Sequence, residues 1–361
     1  MKKIIIVGQI PPPSHGQSIM IQKMVSGLSE KVELDVVEMR FSKQVDENGN
    51  FGFYKLIHLF HLIYKVNRLL KKYPNAILYF PASPPKWSTC LRDWVILFFI
   101  RPNAKYFVLH FHAYGLGEFL FSHKFKKFIR RPFLSPDLSI ILNESCRMDA
   151  DLLMSKKISI VPYGIDTPTS ESCLNSPARN RIIFVGLHIE SKGILDVLKI
   201  ANILKKRGLH FEIHTIGPWK NKKIRESYEF LLHQYQLRDV VKPKGELVGQ
   251  ELWNEYKNAN ILIFPTFFEF ETFGLVVLEA MAYKLAVVCS DWRGPSSIVQ
   301  NDVSGYICKK NDINDFADKI ERLLLDKDLC HKMGQSGYSI YKEKYSNKSY
   351  IENILLAFKE L

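Results

Sequence analysis

The sequence predicts an α/β protein built from two consecutive doubly wound domains. Three observations lead there. Short β-rich runs alternate with helical stretches from end to end; one polar stretch interrupts the alternation, which then restarts; and 361 residues exceed what a single small core organises. Apolar strands separated by helices of this length form parallel sheets covered on both faces.

In the first half the strand candidates are 3–8, 32–38, 76–80, 105–111, 137–142 and 158–161, with helix-like segments at 17–28, 53–72 and 86–100. The stretch 166–180, rich in Ser, Pro and Asn, reads as a linker. After it come a strand at 182–186, a helix at 192–206, strands at 211–217 and 261–264, and a helix at 273–283. The expected organisation is a first domain over 1–165, a second over 181–345, and a terminal helix within 346–361 that returns to the first. In such folds the natural ligand site is a cleft faced by both domains.

Composition excludes several classes. The longest apolar run, 94–100, ends at Arg101-Pro102, far short of the roughly 20 residues of a membrane span. The basic-then-apolar start reads as a buried strand, because its apolar part is too short for a signal peptide. Six scattered cysteines point to reduced thiols in cytoplasm and away from structural zinc. The net charge of +13 is uneven: residues 1–165 carry 23 Lys+Arg against 12 Asp+Glu, the remainder 27 against 25. An anionic partner of the first half is expected; no nucleic-acid motif accompanies it, so nucleic acid is not that partner.

The stretch F-E-F-E-T-F-G-L-V-V-L-E-A-M (268–281) places Glu271 and Glu279 at either end of an apolar run. If the run were helical throughout, the two would lie up to roughly 12 Å apart. Carboxylates accept from paired sugar hydroxyls, and amides of Phe273, Gly274 and Leu275 at a helix start would hold an anion between them. The plainer reading makes Glu271 a helix cap. In the first βα turn, Gly16 opens a helix after a proline-rich approach, a place where a ligand can reach backbone amides. The spacing there is not that of a dinucleotide fingerprint.

Around these residues the chain resembles the GT-B retaining glycosyltransferases of glycosyltransferase family 4. Pro265-Thr266 with E-T-F-G-L-V-V-L-E-A-M-A (271–282) aligns with the family's P-S-x-x-E-x-F-G-x-x-x-x-E-A-M-A. F-V-G-L-H-I-E-S-K-G (184–193) resembles V-G-R-L-x-x-x-K-G, and V-P-Y-G-I-D (161–166) resembles V-P-N-G-I-D. V-L-H-F-H-A (108–113) resembles the strand end with the active-site histidine.

The resemblance implies a nucleotide-sugar donor, UDP- or GDP-linked, and no bound metal or other cofactor. Glu271 would lie by the donor sugar's hydroxyls and Glu279 would bind the ribose. Gly186, Thr272 and the amides of 273–275 would line the sugar and diphosphate, with Lys192 neutralising the leaving diphosphate. His112 would sit near the reacting carbon. His110 shares its strand face, so periodicity does not separate the two, but His112 is nearer the strand's C-terminal end.

The chain also departs from the pattern. Leu187 stands where the family has arginine, and His188 or Arg293 is the candidate replacement for that cation. Ser297 stands where a glutamate is common. The triplets Asp149-Ala-Asp151 and Asp326-Lys-Asp328 read as charged surface helix, not as metal sites. Base selection is expected around Gly217-Pro218 and 242–246.

Two stretches of the first half, 53–72 and 119–131, interleave aromatics with cations, as suits an anionic membrane leaflet. The expectation is therefore a hexosyltransferase-like enzyme peripheral to the inner face of the cell membrane. It would extend a saccharide linked to a lipid diphosphate, in bacterial surface polysaccharide (O-antigen type) synthesis. The alternatives are a non-catalytic subunit of a transferase complex and a nucleotide-sugar epimerase of the same fold.

Overall fold

A computed structural model describes residues 2–12, 16–41, 53–122, 126–166 and 180–361. Most of the expected linker, including Cys173, lies outside them, as do residues 123–125 of the second aromatic-basic stretch. The chain divides into two compact units, Met1–Gly164 with Asn347–Leu361, and Ile165–Ser346.

The first unit carries strands β1 (Ile4–Gly8), β2 (Leu34–Glu38), β3 (Ile77–Ala82), β4 (Tyr106–Phe111), β5 (Leu138–Ile141) and β6 (Ile158–Ile160). They form one parallel sheet in the order β2-β1-β3-β4-β5-β6. Its helices are α1 (Gly16–Ser29), α2 (Phe53–Lys72), α3 (Trp87–Ile100), α4 (Leu116–Phe121), α5 (Lys127–Arg130) and α6 (Arg147–Leu152). Every residue of β1 and β3 is buried, as expected of central parallel strands covered on both faces.

The second unit holds β7 (Arg181–Val185), α7 (Ile194–Lys206), β8 (Glu212–Ile216), α8 (Lys222–Gln234), β9 (Val241–Gly245) and α9 (Gln250–Lys257). Then follow β10 (Ile261–Phe264), α10 (Leu275–Ala282), β11 (Ala286–Ser290), α11 (Arg293–Ile298), β12 (Gly305–Cys308), α12 (Ile313–Leu325) and α13 (Lys327–Lys344). The parallel sheet runs β12-β11-β10-β7-β8-β9, which is the Rossmann order. Helix starts carry their own punctuation: Asn221, Asp312 and Asp326 each accept an amide of the following turn.

The last helix, α14 (Asn347–Lys359), belongs to the first unit. It buries Ile351, Ile354 and Phe358, with Phe358 edge-on to Tyr79, and Lys2 donates to the Leu361 carbonyl at 2.7 Å. Just before it, Ile165 donates to the Tyr345 carbonyl and accepts from the Tyr341 hydroxyl.

Candidate active site

In the second sheet the direction of winding reverses between β7 and β10, and the crevice beyond the carboxyl ends of those two strands is where doubly wound sheets bind ligands. The loop after β7 carries 186–193 and the loop after β10 carries 265–274. The two are tied together: Phe267 donates its amide to the Ser191 carbonyl at 2.7 Å. Gly193 sits at φ +83° against the backbone of Pro265, where a Cβ would come within 2.5 Å of the Pro265 carbonyl oxygen. The glycine of one motif is thus required by close approach to the other.

At this junction the Lys192 ammonium pairs with the Glu271 carboxylate. Both are largely buried, and the ammonium also lies 5.3 Å from the Phe264 ring and 5.1 Å from the Phe268 ring. The loop bearing Glu271 is fixed from the other side by Trp292, whose indole N–H donates to the Phe268 carbonyl at 2.8 Å.

Helix α10 begins at Leu275, with Gly274 as a left-handed N-cap at φ +87°, no side-chain cap and no acidic residue in its first turn. Its first amides carry the positive end of the helix without a capping carboxylate. One turn further on, Glu279 accepts from the Tyr256 hydroxyl at 2.6 Å. Tyr256 is fully buried; burial, together with the adjacent Glu279, pushes its pKa well up, so the phenol stays a donor. Its ring stacks with Tyr283, and Trp253 contacts both, the three centroids lying 5.8–6.0 Å apart.

In the first unit, His110 and His112 lie against each other at the end of β4, ring centroids 4.0 Å apart and planes tilted by 35°. His110 is wholly buried, shares a hydrogen bond between its Nδ1 and the Tyr79 hydroxyl (2.6 Å), and is held neutral by burial with its pKa down at about 3. His112 lies one residue beyond the strand. Its Nδ1 meets the hydroxyl of Tyr163, which stands where the resembled motif has asparagine, and its Nε2 lies 3.4 Å from the Tyr79 hydroxyl. Of the two, only His112 has any accessible surface.

Several expectations are corrected. The helix starts two residues later than 273, so Phe273 and Gly274 form the turn before it. Glu271 is neither on that helix nor its cap, and helical rise does not set its distance from Glu279. The segment expected to be helical from Lys192 opens with a short 3-10 turn, Glu190–Lys192, and α7 begins after Gly193. His188 does not replace the missing arginine. Its ring is buried among Phe184, Trp219 and Tyr228, and burial lowers its pKa to about 4, so it carries no charge near neutrality. Arg293 lies over the Trp292 ring.

Asp149 is not on the surface. It is buried and accepts from the amides of Gly115 and Gly117, while Asp326 caps α13. Gly16 is the exposed first residue of α1, and Gly186 follows β7 at φ +149°. The positioning residues Tyr256, Trp292, Tyr79 and Tyr163 went unrecognised as such in the sequence. Only Tyr163 gave a signal, as the odd residue of its motif.

Two six-stranded parallel Rossmann-like sheets of this kind define the GT-B fold of glycosyltransferases. Sucrose-phosphate synthase from Thermosynechococcus elongatus superposes with a TM-score of 0.76 at 15% identity, covering 100% of this chain and 99% of that one. HepE of Anabaena in complex with UDP gives 0.74 at 14%, covering 100% of both.

Residues 170–340 match the family model described as Glycosyl transferases group 1. A capsular polysaccharide biosynthesis glycosyltransferase, CapM of Staphylococcus aureus, is 28% identical over 166 residues, 46% of this chain and 42% of that protein. The family match covers just under half of this chain. The chain spans less than half the length of the curated relatives it matches first.

Proposed function

We propose that this chain is a family 4 type glycosyltransferase that moves a sugar from a nucleotide diphosphate donor to a saccharide acceptor with retention of anomeric configuration. The observation that carries the reading is the buried Lys192–Glu271 pair beside the uncapped start of α10, at the switch point of a Rossmann-order sheet. A departing diphosphate needs positive charge already in place, and an ammonium and helix-end amides supply it without rearrangement. Glu271 would accept from the sugar's hydroxyls and Glu279 from the ribose. His112 is assigned to the reacting carbon and acceptor. The bond from the anomeric carbon to the diphosphate oxygen breaks, the acceptor oxygen bonds to the same face, and the acceptor proton leaves with the diphosphate.

No metal is assigned a part in this reading, so turnover should survive exhaustive chelation. The HepE complex with UDP favours a uridine donor among those to test. The capsular relative supports surface polysaccharide synthesis. A lipid-linked acceptor and a peripheral position on the inner face of the cell membrane complete the proposal.

A second reading, a donor-binding subunit without turnover, is kept by one observation: Leu187 replaces an arginine and the adjacent His188 is neutral. The test is binding and hydrolysis of UDP-, GDP- and dTDP-sugars by the wild type, Lys192→Ala and Glu279→Ala. Selective binding of one donor with slow hydrolysis, both lost in the variants, is expected. Binding without hydrolysis or transfer to any offered acceptor would favour the subunit.

A further inference from the structure

We propose that the outward face of α2 and α3, extended by α5, is a docking surface for an anionic lipid bilayer. Helix α2 is apolar on two sides. Leu62, Ile63, Val66 and Leu70 fill the core of the first unit. On the opposite side Tyr54, Ile57, Phe60 and Tyr64, at helical spacing, are exposed, Phe60 to 59% and Tyr64 to 65%. Helix α3 repeats the arrangement, with Trp87, Leu91 and Phe98 exposed at successive spacings of four and seven residues.

The two helices lie side by side. Asn67 donates to the Phe99 carbonyl at 3.3 Å and accepts from Asn103 at 2.8 Å. From α5, exposed Phe128 packs on Trp94 and Phe98, with centroids 5.1 and 6.1 Å away. A helix that has already buried one apolar face gains nothing in water from a second, so an exposed aromatic band of this size marks a contact site.

Charge decides what covers it. Residues 53–134 contain nine lysines and five arginines but only two acids, Asp93 and Glu118. Asp93 is buried, where it accepts from the Ser83 amide and pairs with Arg92. A second copy would set one strongly basic face against another. An anionic leaflet instead matches both parts, with aromatic rings at the headgroup boundary and cations such as Arg68, Lys71 and Lys72 at the phosphates. Among the described residues no helix is long and apolar enough to cross a membrane, so this contact would be superficial.

The docking rests on the proposed lipid-linked acceptor for its purpose, yet it is measured without turnover. The full chain would be floated with vesicles of phosphatidylcholine alone and with vesicles about one third phosphatidylglycerol. Binding to the anionic vesicles only, weakened by high salt, is expected. Phe60→Ser/Phe98→Ser and Lys71→Glu/Lys72→Glu should each reduce it at least about tenfold. Nucleotide-sugar binding should be unchanged in both, which shows that the variants fold and separates this result from any failure of the donor site.

No binding to either vesicle, or binding indifferent to both double variants, would overturn the proposal. So would a lipid-free dimer in sedimentation that Phe60→Ser/Phe98→Ser dissociates, which would assign the face to a second copy.

Discussion

Tyr256 and Glu279 are 23 residues apart, yet the buried phenol of the first donates to the carboxylate of the second at 2.6 Å. The contact fixes the carboxylate proposed to hold the donor's ribose, so Tyr256 is a positioning residue. Removing the hydroxyl leaves the carboxylate without this donor, a loss of about 1.5–3 kcal/mol for a hydrogen bond to a charged group. Tyr256→Phe should therefore raise the Kd for the nucleotide alone by roughly ten- to 150-fold, with turnover of saturated enzyme little changed. A purely structural tyrosine would lower the melting temperature and leave the affinity of the surviving fold intact. Calorimetric titration of the nucleotide, set beside thermal melts, separates the two.

The Lys192–Glu271 pair couples stability to function in a way that a double variant resolves. Lys192→Met leaves a largely buried carboxylate without its cation and should cost about 3 kcal/mol. Adding Glu271→Gln removes the orphaned charge and should restore most of that stability, while transfer and donor hydrolysis stay lost. Denaturant melts and a donor hydrolysis assay on both singles and the double check this. If the double variant regained activity along with stability, the pair would be structural only.

Much of the architecture was legible because its signals are local. The helix at 53–72 and the strand at 261–264 fall where the pattern placed them, since long periodic segments and short apolar runs need no distant partner. What the sequence hid depends on residues far apart in the chain. Nothing near Lys192 announces Glu271, 79 residues on, and nothing near His188 says that Trp219 and Tyr228 will bury it. The late start of α10 was hidden for a different reason. Gly274 adopts a left-handed conformation and acts as the cap, and a glycine inside an apolar run does not reveal which of its conformations it will take.

Gly193 offers a sharper test of how the two loops are joined. An alanine there combines a left-handed φ of +83° with a Cβ pressed on the Pro265 backbone. Left-handed strain and overpacking each cost about 1–2 kcal/mol, so Gly193→Ala should destabilise the protein by about 2–4 kcal/mol. Because the displaced backbone leads to Glu271, donor affinity should also fall at least about tenfold, or about 1.4 kcal/mol, in the fraction that remains folded. An alanine variant with normal melting and normal donor binding would mean that the loops are not locked together as described.

Two of the buried histidines, His110 and His188, give the protein an acid sensitivity of defined sign. Burial lowers His110 to about 3 and His188 to about 4, whereas both return to about 6.5 in the unfolded chain. Well above pH 6.5 neither state binds a proton at these sites and the neutral rings cost nothing. As the pH falls below 6.5 the unfolded chain takes up protons that the folded chain refuses, so stability drops steadily until the folded pKa values are reached. Between pH 7 and pH 5 each histidine should remove roughly 2 kcal/mol. Glu212 and Glu255, whose pKa values are lowered beside His214, lose their contribution only at more acid pH, below the ordinary carboxylate range. In His188→Phe the ring cannot protonate, so this variant should lose about 2 kcal/mol less than the wild type over the same interval. Urea unfolding of both proteins at the two pH values measures the difference directly, and equal losses would show that His188 is not held neutral in the fold.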